Sequence, residues 1–509
     1  MIRARWLSTF LLVVVAAAVT RADGPEFDPP LPDVVAVRLA PNWDIQSFLQ
    51  RLDKLIPGVT VMDAIESRKI YLLDLPPGAD EDAVDVLLDD NFSQDPNNPD
   101  PNLPLLWGNR SYLTQAAESR TGSVYVSFTA PTAPQIFRQQ YANDMLGLDL
   151  AHNTSTGSGV TVAVIDTGVD AVHPELVGRV LPGFNFLHGT VDTSDVGDGM
   201  DNDADGQIDE AVGHGTFMAG LIALTAPDAN ILPIVALDSD GNGGDFVIAQ
   251  AMFYAIDHGV EVINMSLGTT YESQAIEDAI EEADSLGIFV VGAAGNQGQD
   301  DPNHEEIPAT DNDAFGVAAV NDADVRAPFS NISDELDLSA PGTSVQLDAN
   351  TFDPERSILG PVPGGGYAWW EGTSASTAFV SGTVALIRAQ HPEWWYSPCD
   401  GDPEPGESIP SRITRCLRDV LTDPSNVVDI SAQNPAGGLG AGRLSTSAAV
   451  AAGPPAPTPG DLNNDGAVAL ADLAIMLADY GQVHSPADLN GNGRVELSDL
   501  ALLLSNFGT

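Results

Sequence analysis

A doubly wound parallel α/β sheet, flanked by a small α+β domain and a small helical repeat module, is the fold class predicted by this 509-residue sequence. Three observations predict it. From residue 159 onward, apolar runs of strand length alternate with stretches of helix length. Before them, residues 34–92 switch between period-two and helical patterning. After a Pro-rich break, residues 461–481 repeat at 488–508, with eleven of 21 positions identical, so the tail is one small two-fold module.

The chain begins with Arg3 and Arg5, an apolar run "FLLVVVAAAV" and small residues ending at Ala22. That order predicts an export signal over residues 1–22, too short to span a bilayer, and hence a secreted protein. The net charge is -53, from 73 acidic and 20 basic residues. Such a surface repels nucleic acid and anionic membranes and offers many oxygen ligands for calcium. Two cysteines, Cys399 and Cys416, are compatible with one disulfide in an oxidising compartment or with two buried thiols.

Residues 34–92 read as strand "VVAVRLA", helix "DIQSFLQRLDKL", strands "VTVMDAI" and "KIYLLDL", and helix "DEDAVDVLLDD". This βαββα order predicts a ferredoxin-like α+β domain. Pro, Asn and Asp then break regularity, and residues 93–138 read as a spacer in which "SVYVSF" could form one more strand. In the central region "GVTVAVI", "NILPIVAL", "VEVINMSL" and "IFVVGAA" are strands between helices, the pattern of a buried parallel sheet. Ligands collect at the carboxyl ends of strands in such sheets.

Four polar residues fall there. Asp166 follows "VTVAVI", His214 opens a helix between glycines, Asn296 follows "IFVVGAAG", and Ser374 opens "SASTAFVSGTVALIRAQH". Singly, each has an ordinary alternative as a helix cap, a satisfied loop histidine or a turn residue. Jointly they are the parts an activated hydroxyl needs. A histidine takes the serine proton, a carboxylate holds the imidazole, and an amide meets the developing oxyanion. The stretch Glu371 to Gly382 carries five hydroxyls, Thr373, Ser374, Ser376, Thr377 and Ser381, and their pattern alone does not choose among them.

The motifs "VAVIDTGVD", "GHGTFMAG", "NMSLG", "AAGNQG", "SAPGT" and "GTSASTAFVSG" resemble those of the subtilases, the subtilisin-like serine proteases. The resemblance covers about residues 139–450 and implies a subtilisin-like catalytic domain over 139–452. It implies Asp166, His214 and Ser374 as the triad and Asn296 in the oxyanion hole, which makes Ser374 the nucleophile. It further implies that Ser266, Leu267, Gly268, Gly241 and Gly243 wall a cleft to which extended substrate adds as a strand. Residues 34–92 then look like a propeptide, cut off somewhere between residues 93 and 139. Ala378 and Phe379 depart from the commonest pattern, where a Pro and a His are usual. The reading from another class is a catalytically silent secreted binding protein that uses its tail for assembly.

Residues 453–460, "GPPAPTPG", form a Pro-rich linker. Beyond it, over residues 461–509, oxygen ligands stand at positions 1, 3, 5 and 12 of each repeat, with Gly at 6. They are Asp461, Asn463, Asp465 and Asp472, then Asp488, Asn490, Asn492 and Asp499. That spacing suits structural calcium, with Asp in place of the usual final Glu. Two loop-plus-helix repeats resemble a dockerin, which implies a cohesin-type partner. Leu470-Ala471 and Leu497-Ser498 stand where that pairing is read, and they are not the commonest small hydroxyl pair. In "DGMDNDADGQIDE", Asp201, Asp203, Asp205 and Asp209 are a further calcium candidate, though Val212 at position 12 is not a ligand. No organic cofactor is expected.

Overall fold

The computed structural model describes residues 30–79, 81–94, 100, 102–119, 126–128, 131–343, 358–391 and 410–452. In the tail it describes 462, 468, 470–482, 487, 489 and 494–507. The export signal, the Pro-rich linker, Cys399 and most of the tail loop ligands lie outside the described residues.

The central body is the doubly wound sheet. Its strands run in the spatial order Val427–Val428, Arg443–Leu444, Leu338–Pro341, Phe315–Val320, Phe289–Ala293, Val262–Met265, Thr161–Asp166, Asn230–Val235, Phe184–Asn185. All neighbours are parallel except the first pair. The four strands from Val262–Met265 to Leu338–Pro341 are buried at every residue, so they read as continuous apolar runs rather than alternations. Two helices lie side by side on one face, His214–Thr225 and Thr373–Gln390. They approach closely because Gly382 faces Thr225: a Cβ on Gly382 would meet the threonine Cβ at 2.5 Å. Ala378 and Phe379, the two departures from the commonest pattern, are fully buried in the core on this face.

The N-terminal domain has one strand more than expected. Strands Pro30–Leu39, Thr60–Ile65 and Ile70–Asp74 are joined by a fourth, Leu105–Ala116. The spatial order fourth, first, third, second is antiparallel throughout and completes a ferredoxin-like βαββαβ unit. Residues 93–138 are therefore not a plain spacer. They hold this strand, a short strand Val126–Phe128 paired with Gly366–Trp370, and the helix Ala133–Arg138. Ala133 and Phe137 are buried in the core of the large body, so that body begins before residue 139.

Period-two alternation in the first strand decides how this domain docks. Val35, Val37 and Leu39 face its own helices Ile45–Leu52 and Glu81–Phe92. Val34 and Ala36 face the other way, joining Ile65, Ile70 and Leu72 against the body helices Asp245–Asp257 and Gln274–Ser285. Polar bonds frame this contact. Arg68 bridges Asp257 at 2.8 Å and Glu282 at 2.5 Å, and Trp107 donates its indole N–H to Asp278 at 2.7 Å.

In the tail, helices Leu470–Ala478 and Leu497–Ser505 pack around Val468, Met476, Ala487, Val495 and Leu503. Cys416 is disulfide-bonded, and the sequence holds one other cysteine, Cys399. Among the described residues no helix is long and apolar enough to cross a membrane.

Candidate active site

The helix His214–Thr225 starts where it does because two groups hold its first turn. Gly213 takes φ 100°, a left-handed conformation that glycine adopts freely. Asp195 accepts the free N–H groups of Gly213 (2.9 Å) and Thr216 (3.1 Å), together with the Thr216 hydroxyl (2.6 Å). Burial pushes the Asp195 carboxyl up to about 6, against these hydrogen bonds. Sequence reading missed Asp195, because it lies in a loop with no periodic signal.

That helix start places His214 against the end of the strand Thr161–Asp166. His214 Nδ1 stands 2.8 and 2.9 Å from the two oxygens of Asp166. The Ser374 helix opens beside the Phe289–Ala293 strand. Asn296 Oδ1 accepts the N–H (2.9 Å) and the hydroxyl (3.0 Å) of Thr373, which fixes the amide and leaves Nδ2 turned to the cleft. Ser266 Oγ donates to the Ser374 carbonyl and receives an N–H from Asn264. The structure thus brings together all four residues proposed from the sequence.

The other hydroxyls of this helix have structural partners. Ser376 donates to the Ala340 carbonyl, Thr377 to Thr373, and Ser381 to Asn264. Ser374 alone of the five hydroxyls turns to the histidine side.

A fifth residue stands among them. Glu118 Oε2 lies 2.9 Å from His214 Nε2 and accepts the Ser374 hydroxyl at 2.5 Å. A Cβ on Gly372 would collide with Glu118 Oε1 and lie 3.1 Å from Asn296 Nδ2. One carboxylate oxygen therefore sits between serine and histidine, and the other sits beside the amide that would meet an oxyanion. Burial by itself would lower the His214 pKa. The charges of Asp166 and Glu118 outweigh it and hold the imidazolium well above its ordinary range.

Glu118 reaches this place because the strand before it lies in the cleft. Leu113, Thr114 and Gln115 pair antiparallel with Gly244, Gly243 and Asn242. Gln115 and Ala116 pair with Gly268 and Leu267 on the other side. The Ala116 N–H donates to the Gly241 carbonyl at 2.8 Å. The predicted cleft walls Gly241, Gly243, Leu267 and Gly268 are thus the ones that grip an extended chain, and the chain is the protein's own. Ser266 stands at the same wall, with its carbonyl oxygen 3.1 Å from Ser374 Oγ. Asp166, His214 and Ser374 are at most 1 % exposed beneath this strand.

The acidic loop differs in part from expectation. Asp201, Asp203 and Asp205 present carboxylates within 4.8 Å of one another. Asp209 does not join them; it accepts the N–H groups of Asp198 and Gly199. A second cluster, Asp203 with Glu210 and Asp240, was missed because Asp240 comes from a distant loop. Burial, with Asp240 and Asp203 adding to it, pushes Glu210 up to about 8. In the tail the two described loop-end carboxylates are buried. Asp472 accepts the Leu462 N–H (2.7 Å) and Asp499 the Glu496 N–H (2.9 Å), so each folds back on its loop.

A serine, a histidine and an aspartate at the strand ends of a parallel sheet, with a cleft that binds extended chain, define a hydrolase of the activated-serine class. Comparison with known proteins narrows this. A family model described as the subtilase family matches residues 157–406. The chain is 36% identical over 257 residues to an intracellular serine protease of Paenibacillus polymyxa, covering 48% of this chain and 71% of that one. It is 33% identical over 270 residues to thermitase of Thermoactinomyces vulgaris, covering 51% and 86%. Among solved structures, fervidolysin of Fervidobacterium pennivorans, a keratinolytic enzyme related to subtilisin, aligns with a TM-score of 0.60. That alignment has 22% identity and covers 87% of this chain and 63% of that one, so it speaks for the fold alone. The chain belongs to the subtilase family and is a subtilisin-like serine endopeptidase.

Proposed function

We propose that Asp166, His214 and Ser374 hydrolyse peptide bonds through an acyl-enzyme, with Asn296 in the oxyanion hole. Ser374 Oγ attacks the carbonyl carbon while its proton passes to His214 Nε2, and Asp166 stabilises the imidazolium. The oxyanion is met by Asn296 Nδ2 and the Ser374 N–H at the helix start. His214 then gives the proton to the leaving amine, and water repeats the sequence to release the acid. The observation that carries this reading is one oxygen of Glu118 touching both His214 Nε2 and Ser374 Oγ, while His214 Nδ1 holds Asp166. A fluorophosphonate probe tests it: after processing, the labelled peptide should contain Ser374, and a label found elsewhere would sink it. A silent binding protein is not favoured, because the reacting groups are complete and oriented.

Asn296→Ala is expected to lower kcat by about 10²–10³-fold with little change in KM, since the amide acts on charge that develops only in the transition state. Steady-state kinetics on a chromogenic peptide check this. An equal loss through KM alone would remove the oxyanion role.

We further infer that the chain is exported as a proenzyme. Residues 30–119 hold the cleft shut until the connection between the two bodies is cut. Calcium would be bound through the hard oxygens of Asp201, Asp203 and Asp205, with Glu210 and Asp240 adjoining. In the tail it would be bound through Asp461, Asn463, Asp465 and Asp472 and through Asp488, Asn490, Asn492 and Asp499. The buried loop-end carboxylates Asp472 and Asp499 support the tail reading, and a cohesin-type protein is the partner it implies. Removing calcium with EDTA is expected to lower the melting temperature of the body by roughly 5–10 °C, with Asp203→Asn erasing most of that difference. The tail should gain helicity on calcium titration. Identical melting curves and a flat titration would exclude the metal.

A further inference from the structure

The strand seated in the cleft shows where the side chain next to a cut bond would go. In that ribbon Gln115 pairs with Gly268 and Ala116 with Leu267. Paired residues of an antiparallel ladder share a face, and so do residues two apart along one strand. Ala117 follows the last strand residue directly, and continuing the alternation by one residue puts its side chain on the face of Gln115, which is also the face where Gly268 lacks a Cβ. Ala117 directly precedes Glu118, whose carboxylate rests on Ser374, so Ala117 marks the acyl side of the reacting centre.

A second glutamate stands on that face. A Cβ on Gly268 would collide with Oε1 of Glu306, and a Cβ on Gly295 would lie 3.0 Å from its Oε2. Gly268 belongs to the wall that pairs with substrate, and Gly295 is the neighbour of Asn296. The Glu306 carboxylate thus lies between the cleft wall and the loop that carries the oxyanion amide. It is 1 % exposed. Its backbone is clamped on both sides: the Glu306 N–H donates to Thr310 Oγ1 (3.0 Å), and Ile307 exchanges both backbone bonds with Thr269 (2.8 and 2.9 Å). His304 Nε2 approaches Oε2 at 3.4 Å, and Oε1 lies toward Gly268 and the ribbon.

We propose that Glu306 is the charge at the base of the pocket for the acyl-side residue, and that it makes lysine or arginine the preferred residue there. This rests on the serine endopeptidase reading above. A carboxylate removed from water gains most from a cation brought to it, and the long apolar stem of Lys or Arg suits a pocket walled by glycine backbone. An apolar side chain offers the carboxylate nothing, and an acidic one repels it. The glycines at 268 and 295 keep the way to the carboxylate open, because any side chain there would fill it.

The test uses the processed full-length protein and peptide anilides that differ only in the acyl-side residue, Lys, Arg, Leu or Glu. Values of kcat/KM for Lys and Arg should exceed that for Leu by on the order of 10–100-fold, with Glu lowest. In Glu306→Gln the Lys-to-Leu ratio should fall about tenfold or more, and Glu306→Asp should keep part of the ratio. Benzamidine should inhibit the wild type and lose potency in Glu306→Gln. A wild type that cleaves Leu as well as Lys overturns the proposal, and so does a ratio that Glu306→Gln leaves unchanged. Should that variant not fold, the wild-type ratio and benzamidine inhibition decide. Cleavage of no peptide together with no label on Ser374 would overturn the endopeptidase reading itself, and this proposal with it.

Discussion

Casein hydrolysis by the processed protein is expected to fall by about 10⁴-fold or more when Ser374 is replaced by alanine. The effect is this large because the residues act as a unit. His214 is fixed by Asp166 at 2.8 Å and has no proton to take once the hydroxyl is gone. His214→Ala should cost about as much as Ser374→Ala, and the double variant little more than either alone. Folding is not the confounding factor it would be for a larger change. Among the described residues Ser374 Oγ bonds only to Glu118 and the Ser266 carbonyl, so its loss leaves the helix Thr373–Gln390 and its packing in place. Retention of more than a hundredth of the activity in Ser374→Ala would point to another nucleophile.

The second large effect concerns Glu118. Glu118→Ala in the unprocessed chain is expected to raise the rate of fluorophosphonate labelling by about 10–100-fold. A charge-assisted hydrogen bond contributes about 1.5–3 kcal/mol, and Glu118 makes one to His214 and one to Ser374. The rest of the strand stays in its pairing, but a small probe needs only the seat of that carboxylate. Glu118→Gln should be labelled at an intermediate rate, because an amide oxygen still accepts from Ser374.

The pH dependence has a definite sign. With its pKa raised in the folded chain, protonated His214 contributes stability that is fully present below its ordinary value of about 6.5. That stability is lost as pH rises through the raised folded value. Labelling of the unprocessed chain should therefore accelerate with a midpoint well above 6.5, and Glu118→Ala should move the midpoint down. Equal labelling rates and midpoints in wild type and Glu118→Ala would rule out Glu118 as the group that blocks Ser374.

Much of this was legible in the sequence, for physical reasons that differ by element. The body strands could be read because parallel strands covered on both faces must be apolar throughout. Asp166, His214, Asn296 and Ser374 could be read because they follow those strands or open the helices beside them. The strand Leu105–Ala116 could not. Its last residues pair on both sides with distant segments and carry Ser111, Thr114 and Gln115 buried, Ser111 bonded to Asp245 and Gln115 to Asn242, which erases the alternation a half-buried strand would show. Glu118, Asp195 and Glu306 share that obscurity. Each is a buried acid in a turn or loop, and its meaning comes mainly from residues on other elements. Local spacing does not reveal that Asp209 turns to the N–H groups of Asp198 and Gly199 rather than joining the Asp201, Asp203 and Asp205 group.

The strand Leu105–Ala116 belongs at once to the sheet of the N-terminal domain and to the cleft of the body. Severing the backbone beyond residue 119 would therefore change the order of the reaction rather than its occupancy. A first-order self-association becomes second-order, and the blocked fraction, fixed before the cut, becomes a function of dilution. Each body released into a large volume would then switch on by mass action, while a crowded population would keep itself silent.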